Sequence, residues 1–215
     1  MRHLSLFSGI AVALLVPASA MADDTASLKV TGTISPAACS VSLGGASEVK
    51  LDPVKLSDFT GGQDLELKEK DASLTISCEG AAAKFRLKAT DATGLGVSEP
   101  GDSHYSLGRN EQGKSNKANG YFVLSIDAPS MAANNFVLKS TDSGAGQAWD
   151  KLGNGSAPFD HDGEAFAFGA DAAATEPAAL TSLIVPLKIK AVLAKDPIVV
   201  EEVALAGQAT IEILY

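Results

Sequence analysis

The chain has 215 residues, of which 17 are Lys or Arg and 26 are Asp or Glu, for a formal net charge of -9. Its length fits one domain or two small ones, and 46% hydrophobic with 20% charged residues is globular rather than disordered composition. The acidic balance and scattered basic residues exclude binding to nucleic acid or to an anionic membrane surface, since both need a basic footprint.

Residues 1–22 read as a secretory signal peptide. Arg2 and His3 give a basic start, Leu4 to Val16 is an almost uninterrupted apolar run, and small residues follow at Ala18, Ala20 and Ala22. Cleavage after Ala22 leaves one mature domain, residues 23–215; cleavage after Ala20 is the alternative. The apolar run is shorter than the ~20 residues that span a bilayer, so no membrane span is expected in the mature chain. Export also decides how Cys39 and Cys78 are read. In an oxidising compartment an even pair is most simply one disulfide, and without nearby histidines the two cysteines lack the ligands for a metal.

Beyond the signal, period-two alternation dominates. Leu28, Val30 and Ile34 alternate with polar residues, with Gly32 interrupting the inward face. Val49 and Leu51 alternate, Pro53 breaks the run, and Val54 and Leu56 resume it. Ala72, Leu74, Ile76 and Cys78 share a face, as do Phe85, Leu87 and Ala89. A polar, Gly-rich stretch from Thr90 to Gly120 precedes a largely apolar strand, Tyr121 to Ile126, and a short one at Phe136 to Leu138. After a loose region from Ser140 to about Pro158 comes the longest strand, Leu183 to Leu193. Ala209, Ile211, Ile213 and Tyr215 alternate up to the last residue. No long stretch carries a helical stripe, and the Ala-rich run 170–179 contains Pro177 and two acidic residues. About eight short strands separated by turns point to an all-β, immunoglobulin-like sandwich. The last strand is either an edge open to another chain or a terminal strand buried between two neighbours.

Three segments carry a family resemblance. VTGTISPAACSV at 30–41 resembles the opening of chaperone–usher fimbrial subunits, the pilins. LTISC at 74–78 places the second cysteine at the spacing that family uses, and GQATIEILY at 207–215 resembles its C-terminal strand. The likeness is closer to a little-characterised branch than to major pilins. It implies an immunoglobulin-like sandwich missing its final strand and completed by a donor strand. A periplasmic chaperone would supply that strand first, and a neighbouring fimbrial subunit would replace it at the outer-membrane usher. Carried over, the binding edge is Ala209, Ile211, Ile213 and Tyr215, and the Tyr215 carboxylate meets the chaperone.

Two departures from the family stand out. The tyrosine is usually next to last, whereas here it ends the chain. The N-terminal extension is short: Asp23 to Ala26 offer one small apolar side chain. Either the protein accepts a strand but donates poorly, as a tip or minor subunit would, or Ala26, Leu28 and Val30 form the donor segment of a repeating subunit.

Other motifs carry less. GRNEQGKS at 108–115 fits the P-loop pattern but lacks a flanking strand and helix, so it reads as a solvated loop. Asp160, His161, Asp162 and Glu164 read as an acidic surface turn, short of a calcium loop's ligands. Trp149 reads as a plug at one end of the sandwich, with sugar stacking as the functional alternative. No nucleophile–base motif accompanies His104 or His161, so no enzyme, cofactor or metal is expected. The sequence therefore reads as a structural or tip subunit of a surface fimbrium, exported through the periplasm of a Gram-negative bacterium. A self-contained periplasmic or surface sandwich that binds a carbohydrate or protein is the alternative. Mass spectrometry of the exported protein should find a chain beginning at Asp23; one retaining residues 1–22 would contradict the signal assignment.

Overall fold

The computed structural model describes residues 38–44, 48–110, 117–133, 135–140, 142, 148–153, 155–161 and 163–215. All of these fall in one unit, Pro36–Tyr215. The signal segment 1–22 and the expected strand from Leu28 to Ile34 lie outside the described residues. In chain order the strands are β1 (Cys39–Gly44), β2 (Leu65–Glu66), β3 (Lys70–Cys78), β4 (Arg86–Asp91), β5 (Tyr105–Ser106), β6 (Arg109–Asn110) and β7 (Lys117–Ala118). They continue with β8 (Gly120–Asp127), β9 (Phe136–Ser140), β10 (Trp149–Lys151), β11 (Ser156–Pro158), β12 (Phe166–Gly169), β13 (Ser182–Leu193) and β14 (Ala209–Leu214).

Two antiparallel sheets form a sandwich of immunoglobulin-like character. One runs β1-β3-β13-β8-β11, with β2 also paired to β13 and β5 to β8; the other runs β10-β9-β12-β4-β14. β6 and β7 pair separately. The long strand β13 organises the first sheet, because it pairs with β3 along one side and β8 along the other. Its alternation puts Leu183, Val185, Leu187, Ile189, Ala191 and Leu193 into the core. Leu74 and Ile76 from β3 and Leu124 and Ile126 from β8 join them. Leu87 and Ala89 from β4, Val137 from β9, and Phe166 and Phe168 from β12 close the core from the other sheet. Each fully buried side chain of this size contributes roughly 1.5–3 kcal/mol.

Several elements differ from the sequence expectation. Val49 to Leu56 is not a strand: the chain runs unpaired into a 3-10 turn at Leu56–Asp58. Pro53 has no N–H for a ladder, and Leu51, Val54 and Phe59 instead lay against the core from outside the sheets. β12 was not legible because all four of its residues are buried, so it shows no alternation. The strands β2, β5, β6, β7, β10 and β11 are each two or three residues long, too short for periodicity to register.

Trp149 does not plug the core. It pairs with Ser140, and its register puts it on the same face as Leu138. That face is opposite to Val137, which points into the core. The indole thus lies on the outer side of its sheet, half-buried, beside a shallow hollow of about 300 Å³ formed with Lys84, Arg86, Pro177 and Leu214. The downstream Phe159, Phe166 and Phe168 do the packing that Trp149 was expected to do.

Cys39 and Cys78 form the expected disulfide, with an S–S distance of 2.09 Å. They sit opposite each other in the β1–β3 register, so the bond staples β1 at its first residue. The staple matters because β1 has weak packing of its own. Val41 is 37% and Leu43 42% exposed, and β3 is its one partner among the described strands. Closing a loop of this size stabilises the fold by about 4 kcal/mol in the chain-entropy model. A variant with both cysteines replaced by serine should lose about 2–5 kcal/mol in chemical unfolding. An unchanged midpoint would mean that β1 is held by something else.

Candidate functional site

β1 and β14 are both edge strands. Among the described strands β1 pairs with β3 alone and β14 with β4 alone, and the two unpaired edges lie on the same side of the sandwich. They meet at one end, where the Tyr215 hydroxyl accepts a hydrogen bond from the Cys39 amide at 2.6 Å and donates to the Cys39 carbonyl at 3.4 Å. Away from that point the edges are separated by a cleft of about 960 Å³. Leu43 lines it from one edge, and Ala209 and Ile211 from the other.

The floor of the cleft is the core itself: Phe122, Leu124, Leu187 and Ile189 reach it from β8 and β13. Phe122 and Ile189, at 8% and 9% exposure, are among the least covered residues of the core. Two irregular segments form the rims. Val49, Leu51, Val54 and Leu56 line one, and Ile198, Val199, Val203 and Leu205 line the other. Most of the large apolar side chains that the fold leaves exposed belong to these rims or to β1.

Local contacts hold the rims open. Asp52 Oδ1 lies 2.7 Å from Lys70 Nζ, fixing the first rim to β3. On the second, Lys195 N donates to Asp64 Oδ1 at 2.8 Å, Asn110 Nδ2 to the Ile198 carbonyl at 2.5 Å, and Ala206 N to the Leu107 carbonyl at 3.2 Å. Gly207 is pressed against the end of the floor. A Cβ there would lie 2.8 Å from the Phe122 ring and 2.9 Å from the Ser106 carbonyl, so only glycine permits this approach. The chain leaves that contact directly into β14.

The four residues expected to form a binding edge divide into two groups. Ala209 and Ile211 line the cleft, whereas Ile213 lies at its narrow end, opposite Leu87, and Tyr215 reaches across to Cys39. All four point to one side of β14, and Ala209, Ile211 and Ile213 are half-buried against the core. What the sequence did not reveal is the two rims. Their apolar residues were visible, but not that unpaired segments would bring them to this cleft.

The geometry offers backbone pairing as well as an apolar surface. Two rows of backbone N–H and C=O groups flank an apolar trough, which an extended chain can pair with while its alternate side chains fill the floor. Among the described residues, no three His, Cys, Asp or Glu are grouped to hold a metal ion. The histidines serve the scaffold: His104 stacks on Tyr121 at 3.7 Å and His161 meets Tyr105 edge-on at 5.8 Å. Of the P-loop-like run, Arg109 and Asn110 form β6, and residues 111–116 lie outside the described residues.

The fimbrial protein family model matches residues 28–153, more than half of the chain. The chain belongs to the fimbrial protein family. This fimbrial protein is also 25% identical to the uncharacterized protein YhcF of Escherichia coli (strain K12), over 92% of this chain and 93% of that one. Among solved structures it is similar to a chain from a chaperone–tip adhesin complex of CFA/I fimbriae biogenesis, with 11% identity and a TM-score of 0.44. That match covers 80% of this chain and 40% of the other, so the fimbrial protein spans less than half of the solved chain. The family is one of structural, surface-appendage proteins, and among the described residues no helix is long and apolar enough to cross a membrane.

The acidic turn at 160–164 belongs to the scaffold, with Asp162 outside the described residues. Lys139 Nζ lies 2.5 Å from Glu164 and 3.7 Å from Asp160. Burial, and then the neighbouring Glu164 carboxylate, push Asp160 up to about 6, while Glu164 is held below its ordinary value by Asp160 and Lys139 in spite of its own burial. Asp160 therefore binds its proton more tightly folded than unfolded. Its contribution is complete below its ordinary value of 3.8 and is lost as pH rises through about 6. Asp160→Asn should flatten the fall in thermal midpoint between about pH 4 and 7. A variant with the same slope as the wild type would contradict that assignment.

Proposed function

We propose that this fimbrial protein is a structural or tip subunit that is completed by a donated β-strand. The observation that carries the reading is the apolar cleft between the edges of β1 and β14, unpaired among the described strands, with Ile211 half-covered at its side and Ile213 half-covered just beyond its end. A strand laid along β14 pairs its backbone with a free edge and buries its alternate side chains over Phe122, Leu187 and Ile189. Completing the burial of Ile211 and Ile213 contributes roughly 1 kcal/mol each, before the incoming side chains are counted.

In this reading the strand comes first from a periplasmic chaperone and then from a neighbouring fimbrial subunit at the outer-membrane usher. Residues 1–22 direct export and are removed, and the protein reaches the cell surface as part of a polymer. It carries out no reaction and needs no cofactor.

The test is to produce residues 23–215 with the disulfide formed, alone and with a fimbrial chaperone, and to follow size-exclusion and thermal unfolding. Alone, the protein should aggregate or exchange strands as its concentration is raised; with the chaperone it should elute as a discrete complex. Ile211→Glu should abolish that complex while export continues, because a carboxylate cannot be buried unpaired in the trough. A lone monomer with a sharp, high transition would instead favour a self-contained sandwich that binds a carbohydrate or protein.

A further inference from the structure

Cys39 and Cys78 face each other in the β1–β3 register, but they do not exchange backbone hydrogen bonds. The Cys78 amide donates to Thr181 on the β13 side, and the Glu79 amide donates to Ala38. The Cys39 amide and carbonyl consequently point away from β3, off the unpaired edge of β1. By the same alternation the backbone groups of Val41 and Leu43 face that edge. One hydroxyl, that of Tyr215, engages both groups of Cys39. The side chain that does so lies on the last residue of the other edge, so a single contact ties the two edges together.

The position of the tie divides the site. Leu43, Ala209 and Ile211 border the open cleft, whereas Cys39, Val41, Ile213 and Tyr215 do not. An entering strand can therefore lie beside Leu43 and Ala209 with the tie in place. To pair as far as Cys39, it must displace the Tyr215 hydroxyl from the two backbone groups it would itself need.

We propose that Tyr215 is a clasp that sets how far an incoming strand can pair along this edge. It closes the disulfide end of the cleft in the partner-free protein, and it opens when a strand zips from the wide end toward Cys39. The inference rests on the strand-accepting reading above. It adds that Tyr215 governs the extent of pairing through its hydroxyl.

The test uses the exported, oxidised protein at low concentration and compares wild type with Tyr215→Phe, which keeps the ring and removes the hydroxyl. The probe is a synthetic peptide of alternating Val and Thr, long enough to run from Ala209 to Tyr215. Amide hydrogen exchange is read at Cys39 and Leu43 in the free protein, and affinity is read from the thermal midpoint against peptide concentration. Breaking one net hydrogen bond sets the scale at about fivefold. Tyr215→Phe should speed exchange at Cys39 by about that factor, leave Leu43 unchanged, and tighten peptide binding by a similar factor. Equal exchange at Cys39, or peptide binding that is equal or weaker in the variant, overturns the clasp while leaving strand acceptance intact. A peptide that binds neither protein overturns strand acceptance, and the clasp with it.

Discussion

Among the described strands β14 is hydrogen-bonded along one side only, and the rest of the site follows from that. Its pairing with β4 places Ile211 opposite Ala89 and Ile213 opposite Leu87, so its apolar face is aimed into the sandwich. The next position in the sheet holds no described strand, which leaves those side chains half-covered and a row of backbone groups facing outward. β1 ends the opposite sheet in the same way and on the same side. Side chains alone cannot repair such an opening, because an unpaired strand edge needs backbone partners that water, or another strand, must supply.

Three local devices fix the shape of this opening. The Cys39–Cys78 disulfide anchors an edge strand whose own side chains are too exposed to hold it. The Tyr215 hydroxyl joins the two edges at that same end. At the other end Gly207 lets the chain press against Phe122 before entering β14, and the Ile198 and Leu107 carbonyls hold the adjoining rim. The cleft is thus closed by a hydrogen bond beside the disulfide at one end and wide and apolar at the other. Lys139, Asp160 and Glu164 form a separate electrostatic cluster, centred on β9 rather than on either edge of the cleft.

The strands that carry this architecture were legible where one face of a strand is buried and the other is not. Residues 72–78, 85–89, 183–193 and 209–215 alternate clearly, and β3, β4, β13 and β14 lie there. β12 was hidden because burial on both faces erases alternation. The segment 48–56 misled for the opposite reason: its alternation is real, but it serves a rim that packs against the core without joining a ladder. Trp149 was read by size, and size alone does not say which face of a sheet a residue occupies.

By itself, the sequence determined the class of fold, the disulfide and the residues of the terminal strand. Each of these depends on local periodicity or on the chemistry of a pair of cysteines. It left open whether the terminal strand is an edge or is flanked on both sides, since a buried strand and a half-covered edge carry the same alternating pattern. Among the described residues the tertiary structure leaves that strand paired on one side, because pairing is a property of which strands become neighbours. It also brought Leu43, Phe122 and Val199 to one trough from three distant parts of the chain, and it set the Tyr215 hydroxyl against Cys39 across 176 positions of sequence. No local pattern encodes a contact of that range; it exists only once both sheets have closed on a common core.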